Sequence, residues 1–377
     1  MAQVNGLLSA SQWRYLGLLV VGIGLLAALC RFWQDSVGYK TGILALQSYE
    51  TAISSVADIA QHPCSTMFLW HKCLFSATHF HPAADQRDDS KTLDVNLLLT
   101  TLTHHISFGA KEPFRMYIQT SQLPVFFEHA WPSLVNEPAT YVLVTGCSDY
   151  NLSHDGDQVL AALDHPKLLR WFAQNADLTH HKLTAIPIGI DFHTLVWHYY
   201  YWHTYRIMPA QQNTQLVELA EHARRHAQRQ LAILVNFKVR GHDERSKATA
   251  SIQRRLPARM IVRPGAEPRL NVWQQATTVE FVLSPPGVGK DCHRTWEALA
   301  LGAIPIVLRD TPFDQVYKGY PVVVVDSWDE ITESALRQWR ETFRSQMQAM
   351  LAAPDRLLSS SFVREIMDVS AVQKKRI

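Results

Sequence analysis

Short, continuous apolar runs separated by amphipathic stretches recur through the second half of the chain. Residues 231–235 (LAILV), 260–262, 281–283, 304–308 and 322–325 are too short for helices and do not alternate with polar residues, the pattern of parallel strands covered on both faces. Between them, 243–255, 270–277 and 291–301 carry helical spacing, and this alternation predicts an open parallel sheet. A weaker version precedes it, with strands expected at 114–119, 141–145 and 183–190 and helical segments at 159–163 and 167–175. A helix around 214–230 leads from the first group into the second. A long amphipathic helix at 329–352 and a short one from Ser360 close the pattern.

Ahead of these groups, residues 15–30 carry no charge, and the apolar character runs on to Trp33, broken only by Arg31. A stretch of nineteen residues is long enough to span a bilayer, with Arg31 snorkelling to the headgroups. A cleaved signal peptide and a core helix are the alternatives, but Ala27-Ala28-Leu29 is not a small-x-small cleavage site. The expected organisation is a cytoplasmic tail (1–14), a transmembrane anchor (15–33), a stem (34–92), a first α/β unit (93–213), a second (214–330) and C-terminal helices (331–377). Arg14 faces Arg31 and Lys40 across the anchor, so charge bias does not set its orientation.

The chain has 377 residues, 47% hydrophobic and 19% charged, enough for two core-bearing domains. A net charge of +2 gives no global argument for nucleic acid. Twelve Lys/Arg against four acids between 221 and 270 form a local basic region, yet aromatic residues are not interleaved with them, which excludes a base-stacking surface. The five cysteines include no CxxC pair, arguing against structural zinc, and Cys64 and Cys73 can pair if this region is lumenal. The histidines lack metalloprotease spacing and read as surface or packing residues; no metal or cofactor is expected. The aromatic stretch 197–205 (WHYYYWHTY) reads either as packing between domains or as a platform for sugar rings, with packing the favoured reading.

The densest chemical signal is 281–308, FVLSPPGVGKDCHRTWEALALGAIPIVL. Pro285, Pro286, Gly287 and Gly289 break regular structure between two strands, and Gly302 marks a helix stop. On the intervening helix Lys290, Arg294 and Glu297 share a face with His293 beside them, while Cys292, Trp296 and Leu299 fall on the other. A strand, a glycine loop and a helix N-terminus bearing cations make a seat for phosphate. It is not a P-loop, because Ser284 replaces the first glycine and Asp291 the magnesium-holding Ser/Thr; nor does it have the three glycines of a dinucleotide fingerprint.

The stretch from Ser284 to Leu308 resembles the C-terminal motif of exostosin-like glycosyltransferases, closest to the ribitol xylosyltransferase branch with its G-x-G-x-D-x-H-R-x-W-E-A-L pattern. The resemblance extends to 143–150, 171–175, 186–191 and 235–245, together covering about 93–330. It implies a GT-B fold, two facing Rossmann-like domains with parallel sheets, the second binding a nucleotide sugar (UDP-linked) and the first the glycan acceptor. It also implies a metal-independent, inverting glycosyltransferase, anchored as a single-pass type II membrane protein of the Golgi or ER. On that reading Lys290 and Arg294 neutralise the leaving diphosphate, and Glu297 takes sugar hydroxyls. Asn236, Arg240, Arg245, Gly287, Gly289, Asp291 and His293 complete the donor site. Inversion needs a base in the first unit, for which Asp149 is the first candidate, though SDYNLS also suits an Asx turn, and His154 the second. Asn175 and Asp191 are expected to shape the cleft. Asp155-Gly156-Asp157 has the form of a metal-binding DxD but reads as a polar turn, and Asn151 begins a glycosylation sequon. The alternative function is a catalytically silent GT-B protein that binds glycans or assists a partner transferase.

Overall fold

The computed structural model describes residues 52–53, 56–82, 93–198, 200–225, 228–239 and 243–369. The expected tail (1–14), anchor (15–33) and Arg240 lie outside them. Among the described residues, no helix is long and apolar enough to cross a membrane.

Two wholly parallel sheets carry the fold. The first joins β1 (Phe114–Gln119), β2 (Tyr141–Gly146), β3 (Leu168–Ala173) and β4 (Leu183–Ala185) in chain order. A small antiparallel hairpin follows, β5 (Tyr200–Tyr201) and β6 (Thr204–Tyr205). The second sheet contains β7 (Gln230–Leu234), β8 (Ile261–Val262), β9 (Val279–Leu283), β10 (Ile304–Leu308) and β11 (Val323–Val325), ordered β11-β10-β9-β7-β8. The helices used below are α1 (Val95–Ser107), α2 (Gly156–Asp164), α3 (Pro209–Arg225), α4 (Asp243–Arg255), α5 (Arg269–Ala276), α6 (His293–Ala300), α7 (Glu333–Ala352) and α8 (Ser359–Met367). The mixed α/β class with two parallel sheets matches the sequence pattern. Two local readings do not: the strand expected at 183–190 stops at Ala185, and 167–175, expected as helix, forms β3. Its side chains alternate between two packing faces, which a strand allows and a helix does not.

In the first sheet every crossover steps the same way, and right-handed connections then place the helices on one face. Met116, Ile118, Leu143, Trp171 and Ala173 point to that face and pack with Leu98 and Leu102 of α1 and Val159 of α2. The intervening residues Tyr117, Val142, Val144 and Phe172 point the other way, where Leu69, Leu74, Phe75 and, from α8, Val363 and Ile366 cover them. Residues 56–82 lie in the stretch read as stem, yet here they form a layer of the folded body. Trp70, Cys73, Leu74 and Phe75 are fully buried, and Cys64 and Cys73 are joined by a disulfide. The Trp70 N–H donates to Ser359 Oγ (3.1 Å), and the Leu69 N–H to the Leu357 carbonyl (2.6 Å). A four-stranded sheet with helices on one side needs such a cover, and the chain takes it from residues far apart in sequence. Leu69 also receives the Ile190 N–H (2.7 Å). That approach is possible because Gly189, at φ +74°, has no side chain: a Cβ there would lie 2.2 Å from the Leu69 carbonyl oxygen.

In the second sheet β7 is flanked by β8 and β9, so the direction of winding reverses between β7 and β9. Open parallel sheets bind ligands beyond the carboxyl ends of the strands at such a reversal. The described loop residues there are 235–239 and 284–292, the second being the heart of the chemical motif.

Candidate functional site

The 284–292 loop leaves β9 along β10, with the Ser284 N–H bonded to the Ile306 carbonyl (2.9 Å) and Ser284 Oγ 2.8 Å from Thr295 Oγ1 of α6. The Gly287 N–H returns to the Gly289 carbonyl (3.2 Å), closing a tight turn that leaves Val288 79% exposed. Arg245, on the first turn of α4, donates through Nε to the Pro286 carbonyl (3.2 Å). A Cβ on Gly287 would lie 2.7 Å from its Nη2. Across the reversal, Phe237 packs beneath two guanidinium groups, Arg245 at 5.9 Å and Arg294 at 5.0 Å from the ring centre. The Nε and Nη1 of Arg294 are buried with no hydrogen-bond partner among the described residues, and so is Oδ1 of Asn236. Burial and the nearby Arg245 both lower the pKa of Arg294. Two cations, unfilled donors and an unfilled acceptor thus meet at the start of α6, whose dipole adds positive potential. The arrangement suits a dianionic ligand that also carries a hydrogen-bond donor.

Loops from the first sheet meet the 284–292 loop. Cys147 after β2 and Asn175 after β3 both have left-handed backbones, φ 54° and 50°, a conformation that costs energy without glycine and clusters at functional sites. Asn175 Nδ2 donates to the Ser148 carbonyl (3.1 Å), and its Oδ1 accepts the Asp291 N–H (3.0 Å). The Asp291 carboxylate in turn accepts N–H groups from Ile188 (2.8 Å), Cys292 (2.8 Å) and the Trp296 indole (2.8 and 2.9 Å). Burial pushes this carboxyl up to about 7. Asp291 therefore fastens the phosphate-type loop to the first sheet. The exposed Asp149 reaches the same loop: a Cβ on Gly289 would sit 3.0 Å from its Oδ1 and 3.3 Å from Asn175 Nδ2.

A third cluster centres on Arg269, the first residue of α5. The side chain is almost fully buried and donates to Glu297 Oε1 (2.5 Å), Gln212 Oε1 (2.9 Å) and the Asp191 carbonyl. Trp273 and Trp202 lie 4.3 and 5.0 Å from the guanidinium carbon. Beside it the buried Asp191 carboxylate accepts the Thr194 N–H (3.0 Å) and hydroxyl (2.7 Å) and pairs with His193 Nδ1 (3.1 Å). Burial alone would raise the Asp191 carboxyl, but His193, His293, Arg269 and the Thr194 hydroxyl hold it well below the usual carboxylate range. His293 Nδ1 lies 2.7 Å from the Gly189 carbonyl. One ligand atom each from Asp191, His193 and His293 falls within 4.8 Å of the others, a spacing open to a metal ion although the ion pairing already balances the carboxylate.

The expected donor-site residues converge on one region, in several cases with roles other than those anticipated. Arg294, Arg245, Asn236, Gly287 and Gly289 lie together at the β7/β9 reversal. Lys290 is turned toward Asp310, its Nζ 2.5 Å from Oδ2, and Glu297 is committed to Arg269. Asp291, His293, Asn175 and Asp191 join the two sheets rather than facing open space. His154 is exposed and meets the Tyr150 ring edge-on, with ring centres 5.4 Å apart. Arg269, His193, Phe237 and Asp310 were not singled out in sequence as site residues. The Pro-Arg step opening the helix before β9 is the one local signal for Arg269. A cavity of about 500 Å³ lies elsewhere, lined by Val217 and Glu221 of α3, Met350 of α7 and Leu357. No protein-family model matches the chain, and no curated protein matches it in sequence.

Proposed function

We propose that the chain is a GT-B glycosyltransferase that moves a sugar from a nucleoside diphosphate, UDP being the expected carrier, to a glycan hydroxyl. The observation that carries the reading is Arg294: its Nε and Nη1 are buried with no hydrogen-bond partner among the described residues, as is Oδ1 of Asn236, at the carboxyl edge of a parallel sheet where its winding reverses. Buried guanidinium nitrogens without acceptors are costly, and a diphosphate offers the charge and acceptor oxygens that offset the cost. As the bond between the anomeric carbon and the β-phosphate oxygen breaks, its electron pair passes to the diphosphate, where Arg294 and Arg245 stabilise charge that grows in the transition state. The acceptor oxygen bonds to the anomeric carbon from the opposite face, and its proton passes to a base on the facing edge. Asp149, in contact range of the Gly289 turn, supports that assignment better than His154. Asp310 holds Lys290 and Arg269 holds Glu297, so these two act on the donor at most indirectly. The Cys64–Cys73 disulfide supports a lumenal placement, with residues 15–33 as a type II anchor in the Golgi or ER.

The test is incubation of the protein with a panel of UDP-sugars, following UDP release and transfer to added saccharides. Asp149→Asn should retain UDP binding and lose most turnover. Absence of UDP binding by the wild type would sink the proposal. UDP binding with no release or transfer on any donor would favour the catalytically silent GT-B alternative.

A further inference from the structure

The hairpin β5–β6 carries an unusual load for its size. Its turn is Trp202-His203, both left-handed with φ 47° and 53°. A two-residue turn with that handedness is normally built from Asn-Gly, and each ordinary side chain placed there costs about 1–2 kcal/mol. Tyr200 pairs with Tyr205 across the ribbon, their rings 5.1 Å apart at 62°. The two tyrosines are 52% and 64% exposed, and Tyr201 and Trp202 also stand at the surface. Packing between domains, the favoured sequence reading of this stretch, applies to Trp197, Trp202 and Thr204, whereas Tyr200, Tyr201 and Tyr205 stand at the surface. The ribbon is nonetheless fixed in place. Trp202 covers Arg269, the Arg269 N–H reaches Thr204 Oγ1 (3.4 Å), and Arg269 is bound to Glu297 on α6, the helix that also carries Arg294.

Residues 200–205 contain no Leu, Ile, Val or Met and no charged Lys, Arg, Asp or Glu. Flat rings with hydroxyl, indole and imidazole edges complement a ligand that has an apolar C–H face and a rim of hydroxyls, which describes a pyranose ring. Six residues are too few for a stable protein interface, which needs about 800 Å² from each partner. A ribbon without cations also lacks the usual attraction for anionic lipid. We propose that Tyr200, Tyr205 and Trp202 form a saccharide-binding platform, mounted on the Arg269–Glu297 pair so that it holds the glycan acceptor beside the donor pocket. The acceptor role rests on the glycosyltransferase reading above; saccharide binding by the ribbon does not.

The test uses the full-length chain and β-linked trisaccharides of xylose, glucose and N-acetylglucosamine, with binding read by saturation-transfer NMR and UDP binding read by calorimetry on the same samples. Tyr200→Ala/Tyr205→Ala should weaken saccharide binding at least tenfold and leave UDP affinity unchanged, whereas Tyr200→Phe/Tyr205→Phe should keep most of it. Unaltered saccharide affinity in the alanine pair would overturn the platform, as would UDP binding by a wild type that engages none of the trisaccharides. If UDP fails to bind while the alanine pair still abolishes saccharide binding, the platform stands and the glycosyltransferase reading falls.

Discussion

An Arg294→Met substitution separates binding from folding. Methionine keeps an unbranched stem over Phe237 and removes the guanidinium whose Nε and Nη1 are buried without hydrogen-bond partners among the described residues. Each such unsatisfied donor costs the ligand-free protein about 1–3 kcal/mol. The contact with Phe237 returns only about 0.5–2 kcal/mol. The ligand-free variant is therefore expected to gain about 1–2 kcal/mol, a rise in Tm of roughly 1–3 °C. With UDP present the balance reverses. Two charge-assisted hydrogen bonds at about 1.5–3 kcal/mol each are lost, so affinity should fall by about a hundredfold or more. Thermal unfolding and calorimetric titration with UDP on the same preparations read both quantities. A lower Tm together with undiminished UDP affinity would show that Arg294 is a structural cation, and the reasoning would fail.

Other expectations follow from neighbouring contacts. Gly287→Ala should displace the end of Arg245 and weaken UDP binding, while Gly289→Ala should push on Asp149 and Asn175 and lower kcat instead; identical kinetic effects from the two would contradict the assignment. Asp291→Asn turns an amide N–H₂ toward backbone or indole donors and should cost about 2–4 kcal/mol in urea denaturation, an unaltered midpoint counting against its fastening role. Reducing Cys64–Cys73 opens a short loop and should remove about 2–3 kcal/mol, seen as a lower denaturation midpoint in reductant. His79 is held down to about 3 by burial and by Arg115 and His105. Its folded-state pKa lies below the unfolded value, so the stability it contributes is present above about 6.5 and is lost as pH falls toward 3. Between pH 7.5 and 5 this amounts to about 2 kcal/mol, and a His79→Gln variant should lose correspondingly less over that interval.

The strands of the second sheet were legible because residues covered on both faces must be continuously apolar, as 281–283 and 304–308 are. The phosphate-type loop was legible because its prolines and glycines are local. What escaped depends on distant partners. Lys290 and Glu297 resemble ligand groups on a helix face, and only the folded chain brings Asp310 and Arg269 against them. Residues 56–82 show no clear period because they are short turns and bridges whose packing partners, such as Ser359, lie nearly three hundred positions away. The six residues of β3 are too short a window for strand and helix periods to be told apart.

The back cover of the first sheet has a mechanical consequence. Residues 56–82 and α8 pack on the same sheet face, so the chain passes from the first lobe to the second and later returns. Two strands of polypeptide thus cross between the lobes, one leading from β4 to β7 and the other from α7 to α8. A single crossing would let one lobe swivel freely against the other. The second crossing, with the bonds from Ile188 to Asp291, from Asp291 to Asn175 and between His293 and Gly189, restrains that swivel and keeps the Asp149 loop against the Gly289 turn.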